Sequence, residues 1–581
     1  MGASRLTFVA LTATCLAIAC NASVGHSAKP NVILIMTDDQ GYGDLACHGN
    51  AVLKTPNLDR LHEESVRLTD FHVSPFCTPT RAALMTGRYP ARTGAYRTSS
   101  GRTMMHIDER TIANVFADSG YATGMIGKWH LGDCAPHRPQ DRGFEDVVWH
   151  RCGGVGQASD HWGNDYFDDT YERNGEYEAF EGYCTDVWFQ ESMRFIQEHQ
   201  HQPFFLYLAT NAPHGPYRVD RAWSEPYRDK VGWRNAAEFY GMVANIDHNL
   251  GLLRDELQRL GLAKNTILVF MTDNGTANGA KFEGLTSEAA EGFNAGMRGK
   301  KSSVYEGGHR VPFLVHWPDG GIHTGRDLDS LAAHIDVLPT LAELCEISID
   351  PSHGLDGISF APQLLRPDAP AHREHLVVQF QGGPSFREAP KMWSYSCVLK
   401  GRWRLIDGEK LYDLASDPAQ RKDVSAENPT TVRELRRLYP PFWNAVAARM
   451  TPVAIDLGNP AQNPTVLSSQ DWYMPNGNPP WNFGAIKRLP RVNGPWIVNV
   501  QRSGKYRITL SQFPRKAKRP VTAWRAKVQI AGQTFERGVD SNAVGVFFEV
   551  ELPDGKTELR TWLYDHDGSS SGAYFAEVEL L

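Results

Sequence analysis

Three kinds of reactive side chain sit at the ends of short apolar runs, and together they describe a site for an oxyanion. The first is a thiol. Cys77 opens the segment Cys77-Thr78-Pro79-Thr80-Arg81, ahead of an apolar helical run closed by Gly87. A lone thiol beside a cation at a helix start is an unusual placement for a chain bound for an oxidising compartment. The second kind is oxygen. Asp38-Asp39 follow "NVILIMT" and Asp273-Asn274 follow "NTILVFMT". Three carboxylates and one amide oxygen favour a hard cation, Ca²⁺ or Mg²⁺. The third kind is cationic or proton-carrying: Arg81, Lys128 and His130 in "GKWHLG", His214 in "APHGP", and Lys300-Lys301 before "SSVYEGG". Cations around a metal suit sulfate or phosphate, whose oxygens need charge stabilisation during transfer. Singly, each residue reads as a turn residue, a helix cap, a surface lysine or a buried cysteine. Their shared position at strand ends gives the pattern its weight.

The elements that must position them follow one grammar. Continuous runs rich in Val, Ile, Leu and Phe read as strands buried on both faces. They include "NVILIMT", "YATGMIGK", "PFFLYLA", "NTILVFMT" and "HRVPFLVHWP". Helical stretches lie between them, at Thr111 to Ser119, Asp186 to Glu198 and Ala236 to Leu260. Strands alternating with helices imply an α/β fold with a large, mostly parallel sheet flanked by helices. Ligands collect at the carboxyl ends of such strands, so residues far apart in sequence converge on one rim. The stretch Trp149 to Cys184, rich in aromatics and acids, reads as a long insert on the leaving-group side of the pocket.

Further along, short strands between residues 375 and 415 suggest a small antiparallel sheet, followed by a helix near Pro429 to Ala447. Residues 451–495 are rich in Pro, Asn and Gly and read as an extended linker. Asp471 and Trp472 within it are candidates for a pocket wall. From Trp496, six strands with turn signals between them form an all-β accessory domain. Its Trp524 and Trp562 suit either core or ligand platform. The expected units are an export signal (1–28), a catalytic α/β domain (29–374), an antiparallel C-terminal subdomain (375–450), the linker (451–495) and the accessory β-domain (496–581).

"CTPTRAALMTGR" resembles the signature of the formylglycine-dependent sulfatases of the alkaline phosphatase superfamily, Cys-x-Pro-x-Arg followed by a Leu/Met-Thr-Gly segment. "ILIMTDDQGYGDL", "GKWHLG", "TDNG", "KSSVYEGGHRVP", "HIDVLPTL" and "KLYDLASDP" match other blocks of that family in order. The likeness spans about Asn31 to Val424 and omits the β-domain. Thr80 replaces the serine of many members and keeps a small hydroxyl. The resemblance implies an alkaline-phosphatase-like fold, and a maturation enzyme that oxidises Cys77 to formylglycine, whose hydrated diol attacks sulfur. It implies Ca²⁺, with Mg²⁺ as the alternative, on Asp38, Asp39, Asp273 and Asn274, with residue 77 completing the shell. Arg81 would hold the diol, Lys128 and Lys301 the sulfate oxygens; Lys301 stands five residues before Glu306, the family's spacing. His130 would accept a diol proton and His214 would protonate the leaving oxygen.

Arg5 followed by the apolar Leu6 to Ala19, too short to span a bilayer, reads as an export signal with cleavage after Ala28. Lipidation of Cys20 is the alternative. The mature chain keeps seven cysteines, an odd number. A net charge of −7 argues against nucleic acid as the ligand. The expected substrate is a sulfated carbohydrate, with aryl sulfates as surrogates. The rivals are a phosphonate or phosphate-ester hydrolase on the same scaffold and an inactive glycan-binding homologue.

Overall fold

In the computed structural model, which describes residue 2 and residues 29–380, 390–474 and 477–581, four of the five apolar runs and a further strand stand side by side in parallel. Asn31–Thr37 lies between Phe204–Ala209 and Thr266–Thr272; Ala122–Lys128 and then Asp146–His150 extend the sheet. Every residue of the first four is buried. Their apolar runs are unbroken because both faces are covered: Val32, Leu34 and Met36 enter one core, Ile33 and Ile35 another. Helix Ile112–Asp118 covers the first face, helices Cys184–Glu198 and Ala236–Arg259 the second. The expected export signal, with Cys20 and the cleavage point, lies outside the described residues.

Further strands complete a mixed ten-stranded sheet. Phe313–His316 was expected to share the grammar of the central strands, with its polar end on the same rim. It runs antiparallel to Thr266–Thr272, pairing His316 with Leu268. The chain enters this strand from the rim it reached after Thr272, so His316 ends at the opposite edge.

A separate four-stranded antiparallel sheet, Leu376–Gln379, Ser396–Lys400, Trp403–Ile406 and Lys410–Asp413, packs against helix Pro429–Ala447 through Leu435, Tyr439 and Val446. The C-terminal strands form two facing sheets, of six and four strands, around one core. Burial alternates strictly along Val546–Leu552, as a sandwich requires.

The linker expectation needs correction. Ile455–Leu457 pairs parallel with Trp496–Val500, and Thr465–Ser468 pairs antiparallel with Phe575–Leu580. Residues 451–495 therefore supply a strand to each sheet of the sandwich. Short apolar triplets between prolines and asparagines suffice because Ile455, Leu457 and Leu467 enter the sandwich core. All seven described cysteines are unpaired.

Candidate active site

The carboxyl ends of the parallel strands carry the expected residues to one place. Asp38 and Asp39 follow Asn31–Thr37, Asp273 and Asn274 follow Thr266–Thr272, and Lys128 closes Ala122–Lys128. Register pairs Thr37 with Thr272, so the two acidic pairs leave the sheet side by side. Cys77 is the first residue of helix Cys77–Thr86, whose ten residues are all buried. Ligand atoms of Asp38, Cys77 and Asp273 lie within 4.8 Å of one another, as do those of Asp39, Cys77 and His214.

The acids and cations are interlocked. Arg81, fully buried, donates to Asp273 Oδ2 at 2.9 Å and to the Lys128 carbonyl at 2.9 Å. Lys128 Nζ pairs with Asp38 Oδ2. Lys301 Nζ pairs with Asp39 Oδ1 at 2.5 Å and lies over the Phe76 ring. Asn274 Nδ2 donates to Asp39 Oδ1 at 3.0 Å. Burial would raise the Asp39 carboxyl, but Lys301, His214 and Lys128 hold it well below the usual range. Asp273 is pushed up to about 7 by burial and by the Asp38 charge, against Arg81 and Lys128. Lys300, beside Lys301, instead lies 5.4 Å from the centre of the Phe282 ring.

The donor set fits a hard cation. Among the described residues, Asp38 Oδ1 and Asn274 Oδ1 are buried without a hydrogen-bond partner. Buried oxygens left unpaired cost about 1–3 kcal/mol each. A divalent cation would satisfy both, and all four proposed ligands offer oxygen.

Burial pushes the Cys77 thiol up to about 12, although Lys128 and Lys301 pull it down. A thiol so protonated is a weak nucleophile. Burial lowers the pKa of both imidazoles. His130 is held well below its ordinary value by burial and by Lys128 and Arg81. Its Nε2 lies 3.2 Å from the Thr98 carbonyl, and its Nδ1 is buried without a partner. His214 is pushed down to about 4 by burial, against the Asp39 charge. It binds the Gly215 carbonyl through Nδ1 and turns Nε2 toward Asp39 Oδ2, 3.7 Å away. Asp39 and His130 both hold left-handed backbones, φ 68° and 59°. Such strain, about 1–3 kcal/mol each, concentrates at functional sites.

Cys77, His130, His214 and Lys301 line a cavity of about 200 Å³, together with Thr98, Ser99, Gly153, Gln157, Asn478 and Trp481. A wider cleft of about 860 Å³ shares His214, Lys301, Gln157 and Trp481. The insert supplies Gly153 and Gln157. The candidates Asp471 and Trp472 do not form the wall: Trp472 is buried against Trp496 and Tyr574. Asn478 and Trp481, a few residues on, take that place. Thr98, Ser99, Gln157, Asn478 and Trp481 carry no periodicity or motif that marks them in the sequence.

The family model for sulfatases matches residues 30–347, more than half of the chain. The chain belongs to the sulfatase family. It is a sulfuric ester hydrolase. A second model, for the C-terminal part of N-sulphoglucosamine sulphohydrolase, matches residues 298–437. Human N-acetylgalactosamine-6-sulfatase is 31% identical over 372 residues, 59% of this sulfatase and 67% of the human chain. Bovine arylsulfatase A is 30% identical over 522 residues, 82% of this chain and 89% of that one. Among solved structures, Ps i-CgsB superposes with a TM-score of 0.64 at 28% identity, covering 73% of this sulfatase and 94% of its own chain. It has also been solved in complex with k-i-k-neocarrahexaose.

Proposed function

We propose that this sulfatase removes sulfate from sulfated carbohydrates, using a formylglycine made from Cys77 and a Ca²⁺ held by Asp38, Asp39, Asp273 and Asn274. The observation that carries the reading is the position of buried Cys77, within 4.8 Å of ligand atoms of Asp38 and Asp273 on one side and of Asp39 and His214 on the other. The carbohydrate assignment is supported by the relatives' names, by the bound neocarrahexaose in Ps i-CgsB and by the 860 Å³ cleft beside the pocket. The apolar stretch after Arg5 supports export. Among the described residues, no helix is long and apolar enough to cross a membrane.

When bound, the cation lowers the pKa of a coordinated hydroxyl and offsets charge spreading onto sulfate. A hydrated formylglycine supplies a hydroxyl nucleophile and a second hydroxyl through which the adduct can collapse. The chain's own residues do the rest. Arg81 fixes the helix start against Asp273. Lys128 and Lys301 turn from their carboxylates toward the ester oxygens and counter the charge that develops there. His130, whose Nδ1 is buried without a partner, is placed to take up a proton from the attacking group. His214 faces the cavity mouth, where a proton must reach the departing alcohol oxygen.

Mass spectrometry of the peptide spanning residue 77 tests the modification: the expected product carries an aldehyde in place of the thiol. Desulfation of a sulfated-glycan panel, run beside matched phosphate esters, tests the reaction. Release of sulfate from glycans at a higher kcat/KM than phosphate release supports the assignment; preference for phosphate overturns it.

A further inference from the structure

Between Pro480 and Lys487 the chain leaves the accessory sandwich and crosses to the catalytic pocket. Ala158 N donates to the Trp481 carbonyl at 2.9 Å, and Phe483 N donates to the Gly156 carbonyl at 3.2 Å. Gln157 and Asn482 form an antiparallel bridge between the two segments. Ser469 Oγ donates to the Pro480 carbonyl at 2.6 Å, and Asn482 Oδ1 caps the turn Phe483–Ile486 by accepting from Ala485 N. The backbone at Trp481 is thus tied to the catalytic insert on one side and to the sandwich on the other.

Its indole is nevertheless 38% exposed. It lines both the cavity that holds Cys77 and the wider cleft that shares His214 and Lys301 with that cavity. Nearby Trp162 is already covered, by Phe483 at 4.6 Å and by Lys487 over its ring. Among the described residues, no ring or cation gives Trp481 such cover. A large apolar ring, held by its backbone and open at a pocket mouth, gains most from a flat apolar ligand face. A pyranose offers that face, with hydroxyls around its edge for polar neighbours such as Gln157. An ester that reaches residue 77 through this mouth brings its alcohol past the indole.

We propose that Trp481 is the stacking platform for a sugar ring of the leaving group, so that the segment feeding the accessory β-sandwich sets substrate specificity. The inference rests on the sulfatase reading above. Trp481 lies outside both family matches, which end at residues 347 and 437.

The test uses the full chain with Trp481→Ala and Trp481→Phe. The substrate is the oligosaccharide of the glycan panel that the wild type desulfates fastest. The inhibitors are inorganic sulfate and the desulfated form of that oligosaccharide. For Trp481→Ala, KM for the oligosaccharide and Ki for its desulfated form are expected to rise together, about tenfold or more, while Ki for inorganic sulfate stays within about twofold. Trp481→Phe, which keeps an aromatic face, is expected to recover most of the loss. An unchanged oligosaccharide KM overturns the platform, as does a rise in sulfate Ki by the same factor. A wild type that releases sulfate from every ester too slowly to measure overturns the sulfatase reading itself. A wild type and Trp481→Ala that are equally active overturn only the role of Trp481.

Discussion

Lys128 Nζ is ion-paired with Asp38 Oδ2, and neither side chain reaches solvent. The second lysine repeats the arrangement, with Lys301 against Asp39. Each cation thus stands on an acid assigned to the metal. A divalent cation held by these carboxylates would compete with the two ammonium groups for them and leave the lysines free for an anionic ester. On that reading the pocket's positive charge is held in reserve by the groups assigned to the metal.

Replacing Lys128 by Met should therefore act twice. Loss of a cation that meets sulfate oxygens lowers kcat/KM by about a hundredfold or more. The apo protein also loses stability, by up to about 3–5 kcal/mol, because buried Asp38 keeps only Arg81, 4.0 Å away, as a counter-charge. Added calcium should restore most of that stability and little of the activity. Lys300→Met is the control: its ammonium lies near the Phe282 ring, and activity should stay within about twofold. Steady-state kinetics with thermal melts, with and without calcium, separate the two effects.

Chelation should lower the melting temperature of the wild type. At a free calcium concentration one hundred times Kd, the bound ion contributes about 2.7 kcal/mol. Asn274→Ala and Asp273→Asn should each shrink the calcium-dependent shift. A melt that ignores both chelator and calcium would remove the metal site from the reading, whatever the activity.

Gly153 sets the position of His130. A Cβ built at Gly153 would lie 2.3 Å from His130 Cε1, a distance no packed pair tolerates. Gly153→Ala should push the imidazole aside. The expected result is a fall in kcat of about tenfold or more with little change in KM, since the displaced ring is the one assigned to proton transfer and not to sulfate binding. Equal losses in kcat and in calcium-dependent melting would point to general collapse of the pocket instead.

Acid should destabilise the fold through buried neutral histidines. Burial pushes His48 and His137 down to about 4, and His150, His309 and His334 down to about 3. Between those values and the ordinary value near 6.5, the unfolded chain binds protons that the folded chain refuses. Stability therefore rises with pH across that window and is lost as pH falls through it. One such ring accounts for about 1.4 kcal/mol per pH unit. His334 receives Ser74 N at 3.2 Å, so His334→Gln keeps an acceptor there and should flatten the slope by about that amount in melts between pH 4.5 and 6.5.

The parallel core was readable because its strands obey a strong rule: buried on both faces, they are apolar throughout, and each ends in its reactive residues. That rule says nothing of direction, and so Phe313–His316 was misplaced. Helix Pro429–Ala447 was legible from its pattern despite Pro440 and Pro441 within it. Trp481 was not. It stands among prolines and asparagines, where neither period nor motif distinguishes a pocket wall from a spacer. Its role depends on hydrogen bonds to residues 156 and 158, more than three hundred positions earlier.

From Cys77 to Thr86 every residue of the helix is enclosed by the protein. On the proposed reading, an enzyme that oxidises this thiol would have to grasp the chain on either side of it, which the enclosed helix does not offer. The modification would then come before the core closes, as a race between catalyst and folding chain. A chain that folded first would be well formed yet left with a thiol at residue 77.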